Sequence, residues 1–135
     1  MSTISEDPTR TTWHAVVADD DDDTRSLIAS ALRRAGFDVR ESSNGEELVD
    51  AFAALASSRT LVVSDVGMPI CGGIEALIAL KKLAPSAPVL MITAFGDRST
   101  LRSARSAGAD EIMQKPIDLE ALVRTALALT RRGHA

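Results

Sequence analysis

A chain of 135 residues is the size of one ordinary domain, long enough for a real core and too short for two comfortable ones. Its 45% hydrophobic and 25% charged residues fit a soluble folded protein, while a net charge of −4 excludes a general nucleic-acid-binding surface. A single cysteine excludes a disulfide framework, and without an apolar run near ~18 residues there is no membrane span, which leaves the cytoplasm as the default compartment.

Residues 1–12 are rich in Ser, Thr, Asp and Pro and read as a disordered tail ahead of one domain over 13–132. The first ten are polar with an acidic pair, unlike a signal peptide or anchor. His14 to Ala18 is a strand candidate that runs into five consecutive aspartates, Asp19 to Asp23. Leu27, Ile28, Ala31, Leu32 and Ala35 then recur at helical spacing, and Gly36 stands where a helix end favours a left-handed residue. Phe37 to Glu41 is a second strand. Asn44, with Glu47 three residues on, caps a helix whose apolar stripe is Leu48, Val49, Phe52, Leu55 and Ala56.

Leu61 to Ser64 is a third strand, which delivers Asp65 to a turn marked by Gly67 and Pro69. A helix over about 73–83 follows, then Val89 to Ile92 as a wholly apolar strand ending in Thr93. The next helix, about 97–107, has only Leu101 and Ala104 clearly apolar on its face. Glu111 to Met113 forms a fifth strand, and after Lys115-Pro116 a last helix carries Leu119, Leu122, Val123, Ala126 and Leu127 in register. Scarce aromatics, 3%, leave a core of Ala, Leu, Ile and Val. Five strands alternating with five helices specify a doubly wound α/β fold: a parallel sheet covered on both faces and joined by right-handed crossovers.

In such sheets ligands bind beyond the carboxyl ends of the strands. Those ends carry Asp19 and Asp20, Asp65, Thr93 and Lys115, so acids, a hydroxyl and an ammonium converge on one rim. Clustered carboxylates either raise their pKa values or recruit a cation, and hard oxygen donors favour Mg²⁺ or Ca²⁺. A metal that keeps several waters leaves room for a phosphoryl group, with Asp65 as nucleophile and Thr93 and Lys115 as its partners. No glycine loop for ATP is present, so the donor is expected to be another phosphorylated molecule. Asp22 and Asp23 read as first-turn acids favoured by the helix dipole.

Val16-Val17-Ala18-Asp19-Asp20, Ser64-Asp65-Val66-Gly67-Met68-Pro69 with Gly73, Ile92-Thr93-Ala94, and Gly108-Ala109-Asp110 before Lys115-Pro116 together resemble the receiver domain of two-component response regulators. The resemblance runs from about His14 to Arg131. It implies a flavodoxin-like five-stranded parallel sheet in the order 2-1-3-4-5. It implies that Asp65 accepts a phosphoryl group from a sensor histidine kinase or a histidine phosphotransfer protein. It also implies that Mg²⁺ is held by Asp19, Asp20, Asp65 and the carbonyl of Gly67, and that Thr93 and Lys115 complete the switch. Such a protein is not an enzyme beyond making and losing its own phosphoryl group. Its output goes to a protein effector or a homodimer through the fourth helix, fifth strand and fifth helix, about 97–107, 111–113 and 118–131. With nothing after Ala135, output is expected through a bound partner or by phosphorelay, unless the chain is a fragment.

Three positions depart from the family pattern. Ile112 replaces the usual switch aromatic of the fifth strand, Ile117 replaces a common Phe, and Gly72-Gly73 replaces Asp-Gly. These bear on signal transmission more than on phosphorylation. Gly67 and Phe95 match positions that flank the path of attacking water, so Phe95 is expected to shield the acyl phosphate. Two rival readings exist: a degenerate, binding-only receiver, and a hydrolase of the haloacid dehalogenase type with Asp20 as nucleophile in Asp20-x-Asp22-x-Thr24. An EF-hand reading of Asp19, Asp21 and Asp23 fails, because Thr24 stands where glycine is required.

Overall fold

Apolar runs without polar alternation have two faces to bury, and helices on both sides of a parallel sheet are what buries them. The structure, a computed structural model, describes residues 12–55, 59–68, 71–94 and 98–132. Residues 1–11, Ala56, Pro69, Phe95 and Asp97, each given a reading above, lie outside the described residues.

The elements in chain order are β1 His14–Ala18, α1 Asp22–Arg34, β2 Asp38–Ser42, α2 Gly45–Ala54, β3 Thr60–Asp65, α3 Gly73–Leu83, β4 Val89–Thr93, α4 Arg98–Ala107, β5 Glu111–Gln114 and α5 Leu119–Arg132. The sheet is parallel throughout, in the order β2-β1-β3-β4-β5. Alternate residues along each strand serve opposite cores. Ala15, Val17, Leu61, Val63, Leu90 and Ile92 pack with Ile28 and Leu32 of α1 and Leu122 and Ala126 of α5. Val16, Val62, Val89 and Met91 pack on the other side with Phe52 of α2, Leu77 and Leu80 of α3, and Ala104 of α4.

Phe37 is not the start of the second strand, because its N–H completes the end of α1. Gly36 takes φ +105°, its N–H reaches Arg33 O at 3.0 Å, and the N–H of Phe37 reaches Leu32 O at 3.1 Å. This closes the helix as a Schellman turn and moves the strand one residue on. In the centre of the sheet β3 includes Asp65 itself, so a strand rather than a loose turn holds that carboxylate.

Asn44 caps α2 as its sequence suggests, accepting the Glu47 N–H at 2.9 Å. The Glu47 carboxylate reaches one residue further back than a standard capping box, to the N–H of Ser43 at 2.8 Å and its hydroxyl at 3.0 Å. Asn44→Ala is expected to cost about 1 kcal/mol. A fall in the urea midpoint with an unchanged slope checks it.

Candidate functional site

The strand register assembles the rim. Ala18 of β1 pairs with Ser64 of β3, which sets the next residues, Asp19 and Asp65, side by side with the same facing. Asp65 pairs with Ile92, so Thr93 is the next residue along β4. Thr93 in turn pairs with Gln114, and the N–H of Lys115 reaches Thr93 O at 2.9 Å. The Lys115-Pro116 peptide is cis. Parity then places Asp19, Asp65 and Lys115 toward the α1 and α5 side, while Thr93 and Ile112 share the opposite face.

The side-chain contacts agree with this parity. Asp19, Asp20 and Asp65 each bring a carboxylate oxygen within 4.8 Å of the others. Lys115 Nζ lies 3.4 Å from Asp65 Oδ1 and 3.9 Å from Asp19 Oδ2. Asp19 and Asp65 are buried, at 1% and 6% exposure, whereas Asp20 is exposed. Thr93 is buried at the end of β4, and Gly67 is exposed two residues beyond Asp65.

Burial and the neighbouring Asp19 push the Asp65 carboxyl above the ordinary carboxylate range, against a smaller opposite pull from Lys115. Burial likewise raises Asp19, and its hydrogen bond from the Asp21 N–H only partly offsets this. Asp19 Oδ2 is buried with no hydrogen-bond partner. An orphaned oxygen facing two other carboxylates, with one ammonium nearby, is a site short of positive charge. Its donors are all hard oxygens, so the set fits Mg²⁺ and suits no softer metal.

The same shifts fix a pH dependence. An acid whose folded pKa is raised holds a proton that the unfolded chain has already released, so its cost to the fold begins at the unfolded value and is complete once pH passes the folded one. In a chelating buffer Asp19→Asn is therefore expected to melt above the wild type. That gain should be absent below about pH 4, near the ordinary value of 3.8, and should grow as pH rises. Melting curves from pH 4 to 8 check it, and excess Mg²⁺ should remove the difference.

Several contacts around the site have weak sequence signals. Arg25 fastens the acidic loop: Nη1 donates to Asp19 O at 2.8 Å, Nη2 to Asp22 Oδ1 at 2.7 Å, and Nε to Glu41 Oε1 at 3.3 Å. Only its i,i+3 spacing from Asp22 was there to be read. Asp21 serves as the cap of α1, bonded to both the N–H and the hydroxyl of Thr24, which holds its carboxyl below the usual range. Asp22 is thus turned to Arg25 and Thr24 to Asp21, so the hydrolase spacing through Asp20 does not assemble around that residue. Asp110 plays a structural part, since its carboxylate accepts the Val89 N–H at 2.8 Å and Lys81 Nζ at 3.2 Å.

Residues 15–127 match the family model of the response regulator receiver domain. The chain belongs to that family. This receiver is 40% identical over 108 residues to the DNA-binding transcriptional regulator NtrC of Rhizobium meliloti, covering 80% of this chain and 22% of that protein. It is 34% identical over 118 residues to the CpxR homolog of Haemophilus influenzae, covering 87% of this chain and 50% of the relative. The crystal structure of a response regulator receiver domain protein from Clostridium thermocellum superposes with a TM-score of 0.84 at 26% identity, covering 90% of this chain and 97% of that one. The receiver spans half or less of the length of these two curated relatives. The observed order β2-β1-β3-β4-β5 is the flavodoxin-like arrangement, and the protein is a component of two-component signalling. Among the described residues no helix is long and apolar enough to cross a membrane.

Proposed function

We propose that this receiver is a phosphorylation-activated switch in which Asp65 takes a phosphoryl group from the phosphohistidine of a sensor kinase or phosphotransfer protein. The observation that carries the reading is one buried carboxylate with two acids on one side and an ammonium 3.4 Å away on the other. Asp19, Asp20 and Asp65, with the Gly67 carbonyl, would hold Mg²⁺. Bound there, Mg²⁺ supplies the charge that offsets the transferring phosphoryl oxygens.

The chain's own residues do the rest. Asp65 attacks phosphorus as its bond to the donor imidazole breaks, and the bonding pair leaves with that nitrogen. Lys115 then faces an oxygen of the new acyl phosphate, and the Thr93 hydroxyl can turn toward another. Because Lys115 and Thr93 join through a backbone hydrogen bond at 2.9 Å, movement at either is felt at the end of β5. The α4-β5-α5 face is the surface for output, to a protein effector or a second copy. Ile112, half-buried among the α4-side core residues, would transmit by packing what an aromatic transmits by rotation. The receiver turns over no outside substrate, only its own phosphoryl group.

Incubation with acetyl phosphate tests the reading. With Mg²⁺ the intact mass should gain one phosphoryl group, and excess EDTA should slow the reaction by about 100-fold or more. An equal rate in EDTA would sink the metal assignment.

A further inference from the structure

Away from the phosphorylation site, α3 and α4 flank an open surface groove of about 990 Å³. Ile74, Ile78 and Lys82 stand at i, i+4 and i+8 along the α3 wall. On the α4 wall the matching ridge is Ser99, Ser103 and Ser106, and these short side chains keep the groove open where larger ones would fill it. Ile78 is 46% exposed, so an apolar floor faces water.

The charge of the rim opposes that of the chain. The protein carries a net −4, yet α4 contains Arg98, Arg102 and Arg105 and no acid. Lys81 is already spent: Nζ donates to Ala87 O at 2.8 Å and pairs with Asp110 at 3.2 Å. Lys82 and Arg102 line the groove with no carboxylate within 4 Å among the described residues. An apolar floor between two such cations is complementary to a helix with leucine-like residues on one stripe and carboxylates flanking it. Nucleic acid is a poorer fit, because among the described residues no aromatic ring lines the groove for a base to stack on.

We infer that the α3-α4 groove is a docking site for an acidic amphipathic helix of a partner protein. Docking there does not depend on phosphorylation of Asp65 and is tested on the unphosphorylated full chain. The probe is a synthetic helix of about four turns, with leucines at i,i+4 and flanking glutamates, titrated into ¹⁵N-labelled protein. A counterpart with lysine for glutamate and a single-stranded oligo-dT serve as competitor chemistries.

Saturable amide shifts confined to α3 and α4 are expected, with the acidic helix binding about tenfold tighter than its lysine counterpart. Lys82→Glu with Arg102→Glu should weaken binding by about tenfold, and Ile78→Gln should do so without changing charge. All three side chains are solvent-facing, so the fold survives, and Arg40→Glu on the far edge of the sheet should leave binding unchanged. Equal binding of both helices, tighter binding of oligo-dT, shifts centred elsewhere, or no effect of the charge reversals would each overturn the inference.

Discussion

Asp65→Asn is expected to abolish phosphorylation by acetyl phosphate to background and, in metal-free buffer, to melt higher than the wild type. The first effect follows because an amide lacks the anionic oxygen that attacks phosphorus. The second follows from which interaction wins at the rim. Burial and the Asp19 charge disfavour an ionised Asp65 more than the Lys115 ammonium favours it. Removing the charge while keeping the shape relieves about 1 kcal/mol, or roughly 3 °C for a chain of this length. Calorimetry in EDTA together with a phosphorylation assay reads both effects. A lower melting temperature would mean that the pair at 3.4 Å is the stronger influence.

Gly73→Ala should be among the most damaging single-methyl changes in the protein. A Cβ at this position would sit 2.9 Å from Val66 Cα and closer still to the carbonyl oxygen of Asp65, and both are backbone atoms with little room to yield. The N–H of Gly73 also bonds Val66 O at 2.9 Å, so the start of α3 is locked to the end of β3. A shift there moves Asp65. The expected cost is about 3 kcal/mol, near 10 °C in Tm, with phosphorylation slowed at least about tenfold. Gly67→Ala is the control, since a Cβ there meets nothing within 4 Å and the carbonyl is kept. Equal losses in both variants would show that the loop tolerates no substitution and that close packing is not the reason.

The strands and helices were legible because burial is written into the chain as runs and spacings. Val16-Val17-Ala18 and Val89 to Ile92 have no polar alternation, and two buried faces require that. The carboxyl ends were legible too, since strand order places Asp19, Asp65, Thr93 and Lys115 on one rim whatever the side chains then do. Orientation beyond the strand was harder to read. Of five consecutive aspartates, Asp19 turns inward, Asp21 caps a helix and Asp22 pairs with Arg25, and nothing in a run of identical residues separates these roles. Arg25 escaped notice because its partners Asp19 and Glu41 meet it only after β1 and β2 pair. The edge strand β5 has one apolar pair, Ile112 and Met113, and the two serve different cores.

The most direct test of the central claim locates the phosphoryl group. Protein phosphorylated with acetyl phosphate and Mg²⁺ is reduced with borohydride, which converts an aspartyl phosphate to homoserine, and then sequenced by tandem mass spectrometry. Homoserine at position 65 alone is the expected result. Homoserine at position 20, or a phosphoryl group retained on His14 or Thr93, would contradict it.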